Sequence, residues 1–334
     1  MTEVAVLVAA YNAVETLPRC LDSLYRQTLP DIEILCVDDC STDGTLQLLQ
    51  RRAAADSRIK VWQTPVNSGH AVARNLALEH ACAPFVCMVD ADDWLSDDAL
   101  EQAMQTFRDH PHTDSVVLQL MEVSDVEDTK QYDISKVLPT KGSLTGEQAF
   151  ELSMDQWKLH GLYVIRTSLH RQYPYDATCR LYSDENTTYL HYLHSREVRT
   201  CQGIYYYRQH DGSQTHHFSV HRFDRMEANL SLLFTLRKEK TLPSGTLKRF
   251  EITRWYNFLG CYRLYLIHEK ELTASEKDEM HLRFTTILHT FRPSRLPLRS
   301  RWKPGYWLMF SLRAFDLQER AYVFWWENGI KKLF

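Results

Sequence analysis

The chain has 334 residues, with 39 basic and 43 acidic side chains, a formal net charge of −4 and an apolar fraction of 44%. This length accommodates one large domain or two smaller ones, and the balanced charge excludes an overall nucleic-acid-binding signature. No basic segment precedes the first apolar run, no uncharged apolar run approaches the ~20 residues that span a bilayer, and the eight cysteines include no C-x-x-C pair. We therefore expect a cytoplasmic protein with reduced thiols and no nucleic acid as a partner.

Residues 1–110 alternate between short apolar runs rich in β-branched residues and segments with helical periodicity. This alternation, with short loops between the elements, is typical of an α/β fold with a mostly parallel sheet and helices on both faces. Ser41 or Thr42 is available as the N-cap of the second helix. The predicted strands are 4–12, 31–39, 59–64 and 84–90, and the predicted helices are 13–28, 41–55, 69–81 and 96–110.

The pattern becomes helical beyond Phe218, where apolar residues recur at intervals of three and four. Thr273 and Glu276 match a capping box at the start of one of these helices. We expect a helical C-terminal region over 219–334, after an α/β domain over 1–218. Within that domain, the elements predicted after residue 110 are strands at 113–123 and 203–210 and a helix at 145–154.

Polar residues collect where the predicted strands end. Tyr11 follows the first strand, Asp38 and Asp39 end the second, and Asp90 begins a D-x-D-D run after the fourth. The carboxyl ends of parallel strands meet at one edge of the sheet, and α/β proteins bind small molecules at that edge. The sequence therefore predicts a ligand site there.

The run "VDADDW" places the carboxylates of Asp90, Asp92 and Asp93 directly after a buried strand. All three should be ionised near neutral pH, and their mutual repulsion calls for a positive charge between them. Asp90 and Asp92 are two apart, so in an extended segment they project from the same side. Such a pair suits Mg²⁺, which is held by one or two carboxylates together with phosphate oxygens. For Asp97 and Asp98 a position at a helix start is the better explanation.

A calcium loop of the EF-hand type is excluded. In "DCSTDGTLQLLQ", Asp39, Asp43 and Gly44 match the spacing of such a loop, but its twelfth position is Gln50. That position requires a bidentate glutamate, so the match fails.

Three segments together resemble the inverting family 2 glycosyltransferases with a GT-A fold. They are "VAAYNAVETLPRCLDSLYRQTLPDIEILCVDDCSTDGT", "NSGHAVARN" and "VDADDWL", all within residues 4–95. The resemblance resumes more loosely at "YSDENTTYL" (182–190) and "YYYRQHDGSQT" (205–215). It implies a GT-A domain with a nucleotide-binding half over 1–110 and an acceptor half over 111–218, followed by the helical region.

The resemblance also implies a donor and a metal. Asp39 is expected to hydrogen-bond the uracil of a UDP-sugar, and Arg74, in "ARN", to lie against the base or the diphosphate. A Mg²⁺ or Mn²⁺ ion is expected to neutralise the departing UDP as a Lewis acid. The implied donor-binding residues are Ala9, Tyr11, Asp38, Asp39, Arg74, Asp90 and Arg208, and the implied metal ligands are Asp90 and Asp92.

In this family a carboxylate from an E-D pair takes the proton of the acceptor hydroxyl. Here the pair reads Asp184-Glu185, in reversed order. We predict that Glu185, which occupies the position of the family's aspartate, is the base, with Asp184 as the alternative. An exposed acidic helix start is the competing structural explanation.

The segment "YRQHDGSQTHH" resembles the family's donor-side closing segment. Arg208 and Ser213 are candidates for phosphate binding, since a guanidinium fork suits phosphate geometry. His210 or His216 is a candidate for a further metal ligand, with an exposed surface position as the alternative. Trp157 is a candidate for stacking on a sugar ring, although a core position is more usual for such a residue.

From Thr290 to Phe334 the chain carries nine Lys or Arg against three Asp or Glu, together with eleven aromatic residues. One explanation is a helix lying in the membrane interface at the inner face of the membrane, attracted by anionic lipid. The other is a helical cap whose aromatic residues pack on the α/β domain or on a second copy of the chain.

The function predicted from the resemblance is metal-dependent, inverting transfer of a sugar from a nucleotide-sugar to a hydroxyl of a glycan or lipid-linked acceptor, in surface polysaccharide synthesis. A sugar nucleotidyltransferase is one alternative, but it would carry a glycine-rich phosphate loop that "AAYNAVETL" lacks. The other alternative is a non-catalytic relative that binds a nucleotide-sugar or a glycan. The D-x-D-D run and the acidic pair argue against it.

Overall fold

The structure, a computed structural model, describes residues 1–124, 129–132, 134–138, 142–154, 157–179, 181–209, 218–239, 242–292, 296 and 311–327. The chain separates into two compact units, Met1–His217 and Phe218–Phe334. In the described residues, the N-terminal unit is built on a mixed sheet and the C-terminal unit is helical.

The strands and helices predicted in residues 1–110 are all present in the N-terminal unit, although the first helix is shorter at both ends. The strand Tyr163–Arg166 and the helix Thr167–Gln172 that follows it have no counterpart in the sequence-based prediction, because such short elements carry little periodicity. The strands are β1 (Val4–Ala10), β2 (Ile32–Asp38), β3 (Ile59–Gln63), β4 (Phe85–Met88), β5 (Trp94–Leu95), β6 (Ser115–Ser124), β7 (Thr129–Tyr132), β8 (Tyr163–Arg166) and β9 (Val198–Gln209). The helices are α1 (Leu17–Tyr25), α2 (Thr45–Ala55), α3 (His70–His80), α4 (Ala99–Asp109), α5 (Gly146–Met154), α6 (Thr167–Gln172) and α7 (Ser183–His194).

The sheet has the strand order β3-β2-β1-β4-β8-β6-β9-β5, with β7 paired to β6. The first four strands pair in parallel, as predicted, and β8 then joins β4 in the antiparallel direction. The apolar run from Val4 to Val8 is fully buried because helices cover both faces of this part of the sheet. Ala10, Asp38 and Gln63 are paired in register, so the carboxyl ends of the first three strands lie side by side.

The start of α2 differs from the prediction. Neither Ser41 nor Thr42 caps this helix, whose N-cap is Gly44. Instead, Ser41 Oγ accepts a hydrogen bond from Asn12 N–H (3.0 Å), and Thr42 N–H donates to Asn12 Oδ1 (2.8 Å). Asp43, one of the residues that fitted the calcium spacing, accepts from the backbone N–H of Thr45 (2.8 Å). These side chains join the loops after β1 and β2 at the edge where a ligand site is expected.

The C-terminal unit packs an aromatic core that includes Trp255, Phe258 and Phe284. The capping box predicted at Thr273 and Glu276 is confirmed, with both reciprocal hydrogen bonds present. Among the residues that the structure describes, no helix combines the length and the apolar character that crossing a bilayer requires. The helices are α8 (Asp224–Lys238), α9 (Thr246–His268), α10 (Ala274–Leu288) and α11 (Leu312–Glu327).

Candidate active site

The D-x-D-D run follows β4 and alternates in burial. Asp90 and Asp92 are half-buried, whereas Ala91 and Asp93 between and after them are buried. The run is not extended as the sequence analysis assumed, because Ala91 and Asp92 form a turn in which Asp93 N–H donates to Asp90 O (3.1 Å). By burial, the run divides into two partly accessible carboxylates and one inward-facing carboxyl.

Asp93, the inward-facing carboxyl of the run, is hydrogen-bonded to two residues of β9. Its Oδ2 accepts a hydrogen bond from the Tyr205 hydroxyl (2.8 Å), and its Oδ1 accepts from Arg208 N–H (2.8 Å). Tyr205 Oη also accepts from Asp90 N–H (3.1 Å). Burial, with the charges of Asp90 and Asp92, raises the pKa of Asp93 to about 9. Asp93 thus positions the loop and the backbone of the predicted phosphate-binding residue Arg208.

Arg74 supplies a positive charge beside the carboxylates. From α3, its Nη2 donates to Asp90 Oδ1 at 2.5 Å, and its guanidinium carbon lies 5.3 Å from the centre of the Tyr175 ring. Arg74 is buried, and its Nε and Nη1 have no hydrogen-bond partner among the described residues. Burial acts to lower the pKa of Arg74, but the charges of Asp90 and Asp184 outweigh it and raise that pKa. The pair leaves Asp90 Oδ2 as the oxygen available to a ligand.

Asn75, the next residue of "ARN", holds the segment beneath Arg74. Its Nδ2 donates to Tyr175 O (2.8 Å), and its Oδ1 accepts from Tyr175 N–H (3.0 Å). The sequence analysis did not assign this residue a role, because its partner lies 100 residues along the chain.

Asp39 is buried and its carboxylate is already engaged by the protein. Oδ1 accepts from Thr64 Oγ1 (2.7 Å) and from Ser68 N–H (2.9 Å), and Oδ2 accepts from Gly69 N–H (2.7 Å). A carboxylate has about four acceptor positions, so one position on Oδ2 remains for the predicted contact with the nucleobase. In this structure Asp39 ties the end of β2 to the start of α3.

Asp38 is buried beside it. Its Oδ2 accepts from Ser41 N–H (3.1 Å) and Gln63 Nε2 (3.0 Å), and its Oδ1 has no hydrogen-bond partner in the described part of the chain. Ala9 lies near the end of β1, and Tyr11, just beyond it, has 45% of its surface exposed. The residues predicted to frame a base thus lie at the same edge of the sheet.

The acidic pair begins α7, where the two carboxylates have different surroundings. Asp184 is exposed, whereas Glu185 is buried with 6% of its surface accessible. The charge of Asp184 acts on the Arg74 guanidinium and on the Tyr175 hydroxyl, and it shifts the pKa of both. The charge of Asp184 therefore acts on the same guanidinium that pairs with Asp90.

His70, at the start of α3, belongs to the same group, and the sequence analysis missed it. Burial, followed by the Arg74 guanidinium, lowers the pKa of His70 to about 4, although the charges of Asp184, Asp90 and Asp39 oppose this shift. The sequence feature that could have identified His70 is its spacing from Arg74, since residues four apart on a helix share a face. His70 precedes Arg74 by four positions in "HAVAR".

His191 on α7, and Trp157 packed against that helix, contact other side chains or backbone of the protein. His191 is fully buried, with Nδ1 2.7 Å from Tyr163 Oη and Nε2 2.9 Å from Tyr173 O. Trp157 is half-buried and stacks on Tyr189, with ring centres 5.6 Å apart. The candidates His210, Ser213 and His216 lie outside the described residues.

The described residues contain no group of three or more His, Cys, Asp or Glu side chains that could hold a metal ion. The half-buried oxygens of Asp90 and Asp92 nevertheless fit the donor set of a Mg²⁺ or Mn²⁺ ion that takes its other ligands from a diphosphate and water.

Comparison with known proteins identifies the family. The sequence model described as Glycosyl transferase family 2 matches residues 5–172. The chain belongs to this family. A stretch of 102 residues is 42% identical to "Putative teichuronic acid biosynthesis glycosyltransferase TuaG" of Bacillus subtilis, and it covers 30% of this chain and 40% of that relative. The chain therefore matches less than half of this relative's length.

Solved structures confirm the predicted GT-A fold. Staphylococcus aureus TarS 1–349, in complex with UDP-GlcNAc, superimposes with a TM-score of 0.74 at 21% identity, over 98% of this chain and 92% of that one. The mannosyltransferase PcManGT from Pyrobaculum calidifontis, in complex with GDP-Man and Mn²⁺, gives a TM-score of 0.55 at 16% identity, over 97% and 87%.

Proposed function

We propose that this chain is a metal-dependent, inverting glycosyltransferase that moves a sugar from a UDP-sugar to a hydroxyl of a glycan or lipid-linked acceptor, in surface polysaccharide synthesis. The observation that carries the proposal is the Arg74–Asp90 ion pair at the carboxyl edge of the sheet, together with the charge of the exposed Asp184 acting on the same guanidinium. An open carboxylate pair, a guanidinium and a separate exposed carboxylate are the groups that this transfer needs.

The donor would bind across the ends of the first four strands. Tyr11 and the remaining acceptor position of Asp39 lie on the side of the nucleobase, and Asp90 and Asp92 would hold the Mg²⁺ or Mn²⁺. When bound, the ion neutralises charge that develops on the diphosphate. The family membership, and a relative of the same fold solved with UDP-GlcNAc, support a nucleotide-sugar as the donor class.

The general base in this proposal is Asp184, the alternative in the sequence analysis, rather than Glu185. A base must reach the acceptor hydroxyl, and Asp184 is exposed with its charge acting on the site, whereas Glu185 is buried. Asp184 would take the hydroxyl proton while that oxygen bonds to the anomeric carbon from the face opposite the diphosphate. The bond from the anomeric carbon to the diphosphate oxygen breaks, and UDP leaves with its electron pair.

Peripheral membrane contact through the C-terminal region belongs to the same proposal. On α11, Leu317 and Phe324 are exposed, together with the basic side chain of Arg313, whereas Arg320 pairs with Glu269 and Asp316. Exposed apolar and basic residues on one helix favour attachment to an anionic lipid surface, where a lipid-linked acceptor would be found. Residues 297–310 and 328–334 lie outside the described residues.

Thermal melting in the presence of UDP-, GDP- and dTDP-sugars, with and without Mn²⁺, tests the donor class. A ligand that binds the native state raises its stability by mass action, so a Mn²⁺-dependent rise in Tm with a UDP-sugar is the expected result. Release of UDP in the presence of an acceptor then separates an enzyme from a non-catalytic relative. No Tm shift with any nucleotide-sugar would overturn the proposal.

A further inference from the structure

His70 is held between two parts of the candidate site. It is the first residue of α3, and the preceding Gly69 N–H is bonded to Asp39 Oδ2 at 2.7 Å. Arg74, one turn further along the same face, is bonded to Asp90 Oδ1 at 2.5 Å. The backbone of His70 is therefore held between a contact to the end of β2 and a contact to the D-x-D-D run.

The imidazole of His70 is open for a ligand. It is half-buried, and neither of its ring nitrogens makes a hydrogen bond to a residue that the structure describes. A neutral imidazole carries one N–H donor and one acceptor nitrogen. A polar side chain that stays unbonded inside a site is a candidate for contact with the bound molecule.

The charges around His70 restrict the chemistry of that ligand. Asp39, Asp90 and Asp184 all act on the ring, and Arg74 is the nearby cation. Asp39 and Asp184 lie outside the proposed metal pair, so their charges disfavour a phosphate oxygen beside the ring. They leave room for an uncharged polar group, and a hydroxyl, which both donates and accepts, matches the neutral ring.

We propose that His70 binds a hydroxyl of the sugar that is transferred, and that it contributes to donor-sugar selection. This inference rests on the proposed function, because it takes the ligand to be a nucleotide-sugar. In the proposed function Asp39 marks the nucleobase side of the site, Asp90 the metal and the diphosphate, and Asp184 the side where the acceptor is deprotonated. The sugar is the part of the donor that lies between the diphosphate and the acceptor.

Calorimetric titration of the full chain in Mn²⁺ buffer tests the inference. The ligands are the nucleotide-sugar that gives the largest Tm shift and its parent nucleoside diphosphate, and the variants are His70→Ala and His70→Gln. His80→Ala is the matched control, since it makes the same substitution on the same helix about 15 Å away. The Tm of each variant, measured without ligand, reports whether the fold is intact.

We expect His70→Ala to weaken binding of the nucleotide-sugar about fivefold to tenfold and to leave binding of the nucleoside diphosphate within about twofold. His70→Gln should recover part of the loss, and His80→Ala should change neither affinity. Equal losses for both ligands would mean that His70 contacts the nucleotide, and no loss would mean that it contacts nothing; either result overturns the inference. Absence of any binding by the unmodified chain would instead overturn the proposed function, and the inference with it.

Discussion

Asn75 holds the backbone of Tyr175 through a pair of hydrogen bonds, one from its amide nitrogen and one to its amide oxygen. The ring of Tyr175 lies 5.3 Å from the guanidinium carbon of Arg74, which is bonded to Asp90. A side chain on α3 thus positions a segment 100 residues further along the chain. Arg74 and Asn75 thus both contact Tyr175, one at its ring and the other at its backbone.

We predict that Asn75→Ala lowers the free energy of unfolding by about 1–3 kcal/mol, because it leaves the N–H and C=O of Tyr175 without these partners. It should also lower kcat/KM, since Tyr175 no longer supports Arg74. Glu79→Ala, an exposed substitution one turn further along α3, is the control. Urea unfolding and initial-rate measurements check both parts, and wild-type stability in Asn75→Ala would show that the pair is dispensable.

The assignment of the base predicts different effects for two neighbouring substitutions. Asp184→Asn should lower kcat by about 10²–10⁴-fold, the usual contribution of general base catalysis, while the affinity for UDP is retained. Glu185→Gln preserves the size of a buried side chain and should reduce kcat far less. Steady-state kinetics and UDP titrations of both variants provide the measurement. The reverse order of effects would return the role to Glu185, as the sequence analysis predicted.

The metal assignment predicts that Asp92→Asn abolishes the Mn²⁺-dependent part of the Tm shift and of the turnover. The substitution removes a charged ligand from the open side of the D-x-D-D run but leaves Asp93 and its hydrogen bonds to β9 in place. Asp97→Asn is the matched control, because Asp97 is exposed at the start of α4 and pairs with Arg26. Undiminished Mn²⁺ dependence in Asp92→Asn would show that Asp92 is not a metal ligand.

The sequence predicted the part of the site that depends on local order along the chain. The strands that end at Asp38 and run into Asp90 follow from the apolar runs and the short loops between elements. The predicted projection of Asp90 and Asp92 from one side assumed an extended segment, whereas Ala91 and Asp92 lie in a turn. The environment of each carboxyl could not be predicted in this way. Asp39 turns inward because it accepts a hydrogen bond from backbone at the start of α3, and Asp93 because it accepts one from the backbone of β9. The sequence alone does not show that these segments lie together.

The same limit applies to the base and to the histidine of the site. The order Asp184-Glu185 could be read only against a family pattern, whereas the exposure of each side chain depends on how α7 packs. The sequence shows the helical spacing of His70 to Arg74. The three carboxylates whose charges act on His70 lie on segments far apart in the chain, so the sequence does not show this interaction.

The buried histidines of α6 and α7 lead us to predict a loss of stability in acid. Burial, followed by the charges of His191 and Arg74, lowers the pKa of His170 well below its ordinary value of 6.5. The unfolded chain therefore takes up a proton as the pH falls below about 6.5, whereas the folded chain does not. The stability contributed by the neutral ring is fully present above that pH. Below it, the loss is at most about 1.4 kcal/mol per pH unit for each such histidine.

His170→Phe tests this prediction, because both ring nitrogens of His170 are buried without a hydrogen-bond partner among the described residues. The substitution keeps the edge contact of an aromatic ring with Tyr175, removes two unsatisfied polar atoms, and removes one proton-binding group from the unfolded chain. Its free energy of unfolding should equal or exceed that of the wild type at about pH 7.5 and fall less steeply towards about pH 5. Urea unfolding at several pH values is the measurement, with His112→Phe, at an exposed position, as the control. Parallel pH profiles for His170→Phe and the wild type would show that acid destabilises the protein through other groups.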